Sequence, residues 1–271
     1  MKNIFAMLKG SIIPTPTTIN ASHSNPNQSG TTTKSISEQI IVELTQKRND
    51  DAAKNAIKFH AENDVEPKDI FLGVPKTVCK DLAQKFSPTA TFEGIAQLLS
   101  KPEHETKLVA SLILIEKNKT SAKECYAFYF KHLATFTSWD LIDLTAPIII
   151  GNYLQTRPQL PRNDLYTLAK SRSDWDKRIA IIATLAFIEQ NDFADAKSIA
   201  KIYFNEISPM ILRAAGRVLR QIGKKNRHVL LEFLAQNHTQ MPAEIFNAAV
   251  VDLPKQLRTT IRKETKIIAK K

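Results

Sequence analysis

From Ile36 onward the chain alternates apolar stripes with Lys, Glu and Gln at the spacing of amphipathic helices. Ser35 or Ser37 can cap a first helix to about Lys47, and Asp50 starts a second to about Asn63. Pro75 opens a third at its first turn, where a missing N–H costs nothing. Further helices are expected over roughly 91–100, 104–118, 121–135, 139–155, 161–171, 174–190, 193–207, 209–223, 226–237 and 242–268, the last broken at Pro254. Many helices of ~10–17 residues with short joints predict helical repeats or a bundle. Residues 14–35 are Thr, Ser, Asn and Pro, too polar to offset chain entropy. Residues 1–35 are therefore expected as a disordered tail, and 36–271 as the folded domain.

A register runs through the helices. Lys107, Arg178 and Arg213 each head a run of small and apolar residues, and Asp143 falls between the first two. The steps from Lys107 to Asp143, Arg178 and Arg213 are 36, 35 and 35 residues. A constant step of this size matches one helix pair per repeat. Equivalent positions of a stacked solenoid line up on one face, so these four would enter one concave surface. Chance similarity between amphipathic helices is the alternative.

Charge adds a partner class. The formal net charge is +11, and from Arg213 to the end thirteen basic residues stand against four acidic ones. A helical protein with one strongly positive end suits a polyanion, although a merely soluble basic surface has the same composition. Lys224, Lys225 and Arg227 sit in a turn after a helix, where they could meet phosphates or only water. Seven glycines and no sustained Asn-Gly signal argue against an all-β fold. No apolar run reaches the ~18 residues needed to span a membrane, and Lys9 interrupts the first one, which argues against a secretory signal. Cys79 and Cys125 read as buried apolar side chains in a reducing, cytoplasmic compartment.

Chemistry concentrates at two positions. Trp139 and Asp143 lie four residues apart, on one helix face. Asp143 sits among Ile142 and Leu144, where a carboxylate needs a partner. Arg178, one repeat on, supplies one. The pair could simply lock two repeats, with Trp139 as core, or it could line a reactive cleft. The two tryptophans, Trp139 and Trp175, stand just ahead of these two charged positions. His60, His104, His132, His228 and His238 show no metal-ligand spacing, and no metal is expected. Phosphate-loop, dinucleotide and serine-nucleophile motifs are absent from the sequence. Tyr126, Phe128, Tyr129 and Phe130 share one helix and are expected in the core.

Ser138-Trp139-Asp140-Leu141-Ile142-Asp143 resembles the S-W-W-D-x-V-D stretch of the AlkD-type DNA alkylation-repair family, one Trp short. Trp175-Asp176-Lys177-Arg178-Ile179-Ala180-Ile181 resembles its W-x-R-R-I-A-I stretch, and Met210 to Arg217 its F-I-x-K-A-I-G-W stretch. Leu72-Gly73-Val74-Pro75 resembles its F-G-V/I-x opening. The likeness covers about residues 38 to 262, with order and spacing in agreement.

The resemblance implies an all-α, HEAT-like solenoid with a concave basic face. It implies a monomer on alkylated duplex DNA, without cofactor, that excises cationic N3- and N7-alkylpurines without flipping the base. Trp139, Asp143 and Arg178 fall on the family's catalytic Trp, Asp and Arg. Lys107, Trp175, Lys177, Arg213, Arg217, Lys224, Lys225 and Arg227 are the expected DNA contacts. The family's second cleft Trp falls on Arg217, which suits phosphate better than a cationic sugar. A DNA binder without catalysis, or a protein–protein scaffold, are the other readings of such a solenoid.

Overall fold

The computed structural model describes residues 35–63 and 69–268. The expected N-terminal tail lies outside these residues, save Ser35. Among them there is no strand, only an isolated bridge between Ile70 and Glu103. The helices are α1 (Ile36–Gln46), α2 (Asp50–Asn63), α3 (Lys76–Phe86), α4 (Phe92–Leu99), α5 (His104–Asn118), α6 (Ala122–Lys131), α7 (Trp139–Ala146) and α8 (Asn152–Gln155). They continue as α9 (Asn163–Ala169), α10 (Asp174–Ala183), α11 (Leu185–Glu189), α12 (Ala194–Ile202), α13 (Pro209–Lys225), α14 (Arg227–Asn237), α15 (Ala243–Ala249) and α16 (Lys255–Ile268). No described helix is long and apolar enough to cross a membrane.

Local chemistry starts these helices where the sequence places them. Ser35 caps α1 in a reciprocal box, its hydroxyl accepting from Glu38 N while the Glu38 carboxylate accepts from Ser35 N. Thr91 caps α4 and Asn226 caps α14 through side-chain oxygens. Pro209 heads α13 at its first position. The chain breaks before Pro254, as expected, separating α15 from α16.

The architecture is a helical-repeat solenoid. One row of helices, α5, α7, α10, α13 and α15, packs each member on the next. A second row, α4, α6, α9, α12 and α14, packs against the first or against the segment that continues it. Ile113, Leu141, Ile179, Ile181, Ile211 and Leu219 are fully buried between the rows. Each contributes roughly 1.5–3 kcal/mol on leaving water, so apolar stacking outweighs any single polar link. Phe128 and Tyr129 join this core, and Tyr126 and Phe130 pack at its edge. Both cysteines are buried, and burial pushes the Cys79 thiol up to about 12 and the Cys125 thiol up to about 11.

The expected helix 139–155 is interrupted. Pro147 has no N–H to give the carbonyl of Asp143, and the chain relaxes into a π-helical stretch over Pro147–Gly151 before α8. The interruption thus begins one turn after Asp143. Gly151 meets α10 at close range: a Cβ there would lie 2.2 Å from the Ala183 carbonyl oxygen. Gly73 adopts φ +74°, and a Cβ on it would lie 2.1 Å from the Asn49 carbonyl oxygen. The turn around Gly73 is held by the buried Glu105 carboxylate, which accepts from the N–H groups of Leu72, Gly73 and Val74.

Gly151→Ala should lower stability by about 1–3 kcal/mol through this backbone clash. Gly94→Ala, whose nearest neighbour would be Thr91 Oγ1 at 3.5 Å, should instead raise it slightly. Urea unfolding of the two variants checks the contrast, and a Gly151→Ala protein as stable as the parent would contradict the packing described.

Candidate functional site

The site is built where α7 meets α10. Ser173 caps α10 by accepting from Asp176 N, and Asp174 and Asp176 place acid in its first turn. One turn further in, Arg178 is buried, with 3% of its side chain exposed. It reaches back one repeat: Nε donates to Asp143 Oδ1 at 2.9 Å and Nη2 to Oδ2 at 2.8 Å. This is a bidentate fork, the strongest neutralisation a guanidinium can obtain from one carboxylate. Asp143 keeps 27% of its side chain exposed. The arrangement therefore joins a buried cation to a carboxylate that opens to solvent.

Trp139 sits at the same junction. Arg178 Cζ lies 6.0 Å from its ring centroid, at the outer limit of cation–π contact. The indole Nε1 is buried without a hydrogen-bond partner. On its other side Trp139 meets Phe59 at 5.9 Å and His60 at 5.4 Å between ring centroids. Phe59 is 52% exposed, so it carries the aromatic surface beside Trp139 out to solvent. The sequence placed neither α2 residue at this junction: Phe59 carried no signal, and His60 figured only among histidines without metal-ligand spacing. Both belong to an ordinary amphipathic stretch, and only their ring contacts with Trp139 bring them in.

Arg217 approaches from α13. Its Nη1 stands 3.9 Å from Asp143 Oδ2, with 40% of the side chain exposed. Two cations thus face one carboxylate. Arg213 lies one turn earlier on α13 and is partly exposed.

The remaining expected contacts divide. Lys107 does not line an open groove: only 10% of its side chain is exposed, and its ammonium is bound to Asp69 at 2.5 Å. Lys177 is held by Glu206 at 2.9 Å and Asp174 at 3.6 Å, with 12% exposed. Trp175 is partly buried against the core. Lys225 pairs with Glu189 at 3.3 Å. Lys224 and Arg227 are exposed, and with Arg220 they border a shallow cavity of about 190 Å³ whose acid, Asp252, is forked by Arg220.

A second polar cluster lies behind Trp139. His104, at the start of α5, is buried with Asp69 Oδ2 3.1 Å from Nδ1 and Asp140 Oδ2 3.2 Å from Nε2. Two ionised carboxylates only accept, so both ring nitrogens must donate, and His104 is an imidazolium. Burial opposes that charge, but the hydrogen bonds to Asp140 and Asp69 overcome it and raise the pKa to about 9. Burial likewise opposes the Asp140 charge, and the His104 bond overcomes it, holding that carboxyl well below its usual range. His60 Nε2 is 3.8 Å from the same Asp140 oxygen, and burial pulls the His60 pKa down. The donor atoms of His60, His104 and Asp140 lie within 4.8 Å of one another, a grouping no spacing in the sequence announces. With both His104 nitrogens carrying protons toward carboxylates, the cluster as it stands is a hydrogen-bonded chain and not a vacant ligand set.

Residues 40–253 match the model of the DNA alkylation repair enzyme family, and the chain belongs to that family. A solved structure named a predicted DNA alkylation repair enzyme from Enterococcus faecalis superposes with a TM-score of 0.61 at 20% identity. The match covers 77% of this chain and 98% of that one, and it establishes the shared fold. Among curated proteins none matches.

The His104 pair makes stability depend on pH. Its folded pKa, about 9, lies above the unfolded value of 6.5. The stabilisation is therefore complete below the unfolded value and is lost as pH rises through the folded one. The urea midpoint should fall across that interval in the parent protein and stay flatter in His104→Gln; a parent curve with no excess fall refutes the charged bridge.

Proposed function

We propose that the protein is a DNA N-glycosylase that removes cationic N3- or N7-alkylpurines from duplex DNA, acting as a monomer, with Trp139, Asp143 and Arg178 as its active site. The observation that carries this reading is the forked Asp143, oriented by a buried guanidinium and open to solvent beside an indole.

The chemistry suits these groups. An alkylated purine already carries positive charge, so it leaves as a neutral base when the C1′–N bond breaks and takes the electron pair. No strong general acid is required. The sugar left behind is oxocarbenium-like. The Asp143 carboxylate stabilises that positive charge and orients a water toward C1′, whose proton is released as the new C–O bond forms. The Trp139 π face lies against the cationic nucleoside, and half-exposed Phe59 widens that surface. Arg178 fixes the carboxylate. Arg213, Arg217, Lys224 and Arg227 hold backbone phosphates, so the lesion can be approached with the base still stacked.

One observation favours a second reading. Arg217 brings another cation within 3.9 Å of Asp143. A guanidinium there opposes positive charge on the sugar while it attracts phosphate. On this reading the protein binds damaged or branched DNA and does not cut.

Single-turnover release of 7-methylguanine from alkylated duplex DNA tests the first reading. Release is expected from the parent, with a loss of at least about a hundredfold in Asp143→Asn on the scale seen when one electrostatic stabiliser is removed. No release at saturating protein sinks it. Salt-sensitive binding that persists in Asp143→Asn without any release supports the second. The same assay separates the roles of Arg217: Arg217→Trp should speed release by about tenfold, equivalent to ~1.4 kcal/mol, while weakening the salt dependence of binding. Slower release in that variant would show that Arg217 assists the reaction.

A further inference from the structure

We propose that His104 is a positioning residue for the cleft: it fixes the first turn of α7, and through it Trp139, by bridging Asp140 to Asp69 and the turn before α3.

The geometry makes His104 the link between the two halves of this junction. Trp139 begins α7, and Ser138 provides no side-chain cap to the helix. Asp140 does that work instead: Oδ1 accepts from Ser138 Oγ at 2.7 Å and from Leu141 N at 3.0 Å, while Oδ2 faces His104 Nε2. One carboxylate therefore ties the Ser138 hydroxyl before Trp139 to the Leu141 N–H after it, and is itself held by one imidazole. The indole has no hydrogen bond of its own to set its orientation. It rests on ring contacts with Phe59 and His60, and on the start of its helix.

His104 is anchored in turn. Asp69 accepts a hydrogen bond from its Nδ1–H and is clamped by Lys107, one turn along α5. The His104 ring also stacks on Phe71 at 4.6 Å and meets His60 edge-on at 4.9 Å. The charged and titratable groups around it are Asp69 before α3, Asp140 on α7, Lys107 on α5, His60 on α2 and Lys76 on α3, the last 3.9 Å from Asp140 Oδ2. Asp69, Asp140, Lys107 and His104 sum to zero charge, which lets a buried chain persist beside an apolar indole. Breaking it at His104 leaves Asp69 to Lys107 alone and takes from Asp140 its nearest cation. Asp140 would then turn toward Lys76 or solvent, and the first turn of α7 would turn with it.

The inference rests on the glycosylase reading only for its effect on excision; the placement of Trp139 is read independently. In a Trp175→Phe background, where Trp139 is the sole tryptophan, His104→Ala should shift indole emission to the red and raise acrylamide quenching about twofold or more, as a loosened indole meets water. Asp69→Asn, which keeps shape and removes charge, should shift both in the same direction by less. With Trp175 present, His104→Ala should slow excision about tenfold or more through misplacement, with DNA affinity unchanged within twofold. His104→Ala and Asp140→Ala should be non-additive, since each acts through the other. Nitrogen NMR of the parent should find both His104 nitrogens protonated at neutral pH. A neutral His104, stoichiometric zinc uptake in place of its protons, or unaltered Trp139 emission in a folded His104→Ala protein would each overturn the proposal. If the parent releases no base while emission shifts as described, the glycosylase reading fails and the positioning role stands.

Discussion

The guanidinium of Arg178 is buried inside a helical solenoid, and much of the site follows from where its charge is answered. A buried cation without a partner is strongly destabilising, so its carboxylate must lie within reach and in the right orientation. Asp143 meets that demand from the neighbouring repeat with both oxygens. The pair therefore sets the register of α7 against α10 as well as the face on which Asp143 opens. A pair of Leu side chains could hold the two helices as well or better. What apolar packing could not do is present an oriented anion beside Trp139.

The same logic repeats along the chain at one-repeat intervals. His104 reaches Asp69 over 35 residues and Asp140 over 36, Arg178 reaches Asp143 over 35, and Lys225 reaches Glu189 over 36. Tyr126, Arg162 and Arg220 make similar reaches to Asp164, Asp195 and Asp252. In a solenoid each repeat touches only its neighbours, so these links are the polar counterpart of the apolar stacking. They are directional where the core is not. The two most buried of them, around His104 and around Arg178, flank Trp139 on successive repeats.

Membership of the DNA alkylation repair family and the Asp143–Arg178 fork between α7 and α10 both support the glycosylase proposed above, while Arg217 beside Asp143 weighs against it. Aromatic surface that the AlkD-type pattern would place on α13 is instead supplied from α2, where Phe59 stands half exposed beside Trp139. The cleft is thus aromatic on its α2 side and cationic on its α13 side. Under the proposed function, that asymmetry suits a backbone phosphate on one side and a nucleoside on the other.

Periodicity determined the helices, their order and the repeat step, because amphipathic spacing, caps and prolines act within a few residues. It also determined that Asp143 and Arg178 would meet, since one repeat step separates them and an apolar setting leaves a carboxylate little choice. The sequence did not announce the π-helical interruption, although Pro147 explains it. Lys107 was expected to enter the concave surface with Asp143, Arg178 and Arg213, and is buried on Asp69 instead. Charge type is visible in a sequence, but which side of a helix it leaves exposed depends on what packs there. His60, Phe59 and Asp69 joined the site unannounced for the same reason: their neighbours come from α5 and α7, and only tertiary stacking brings residues so far apart in the chain into one polar chain behind one indole.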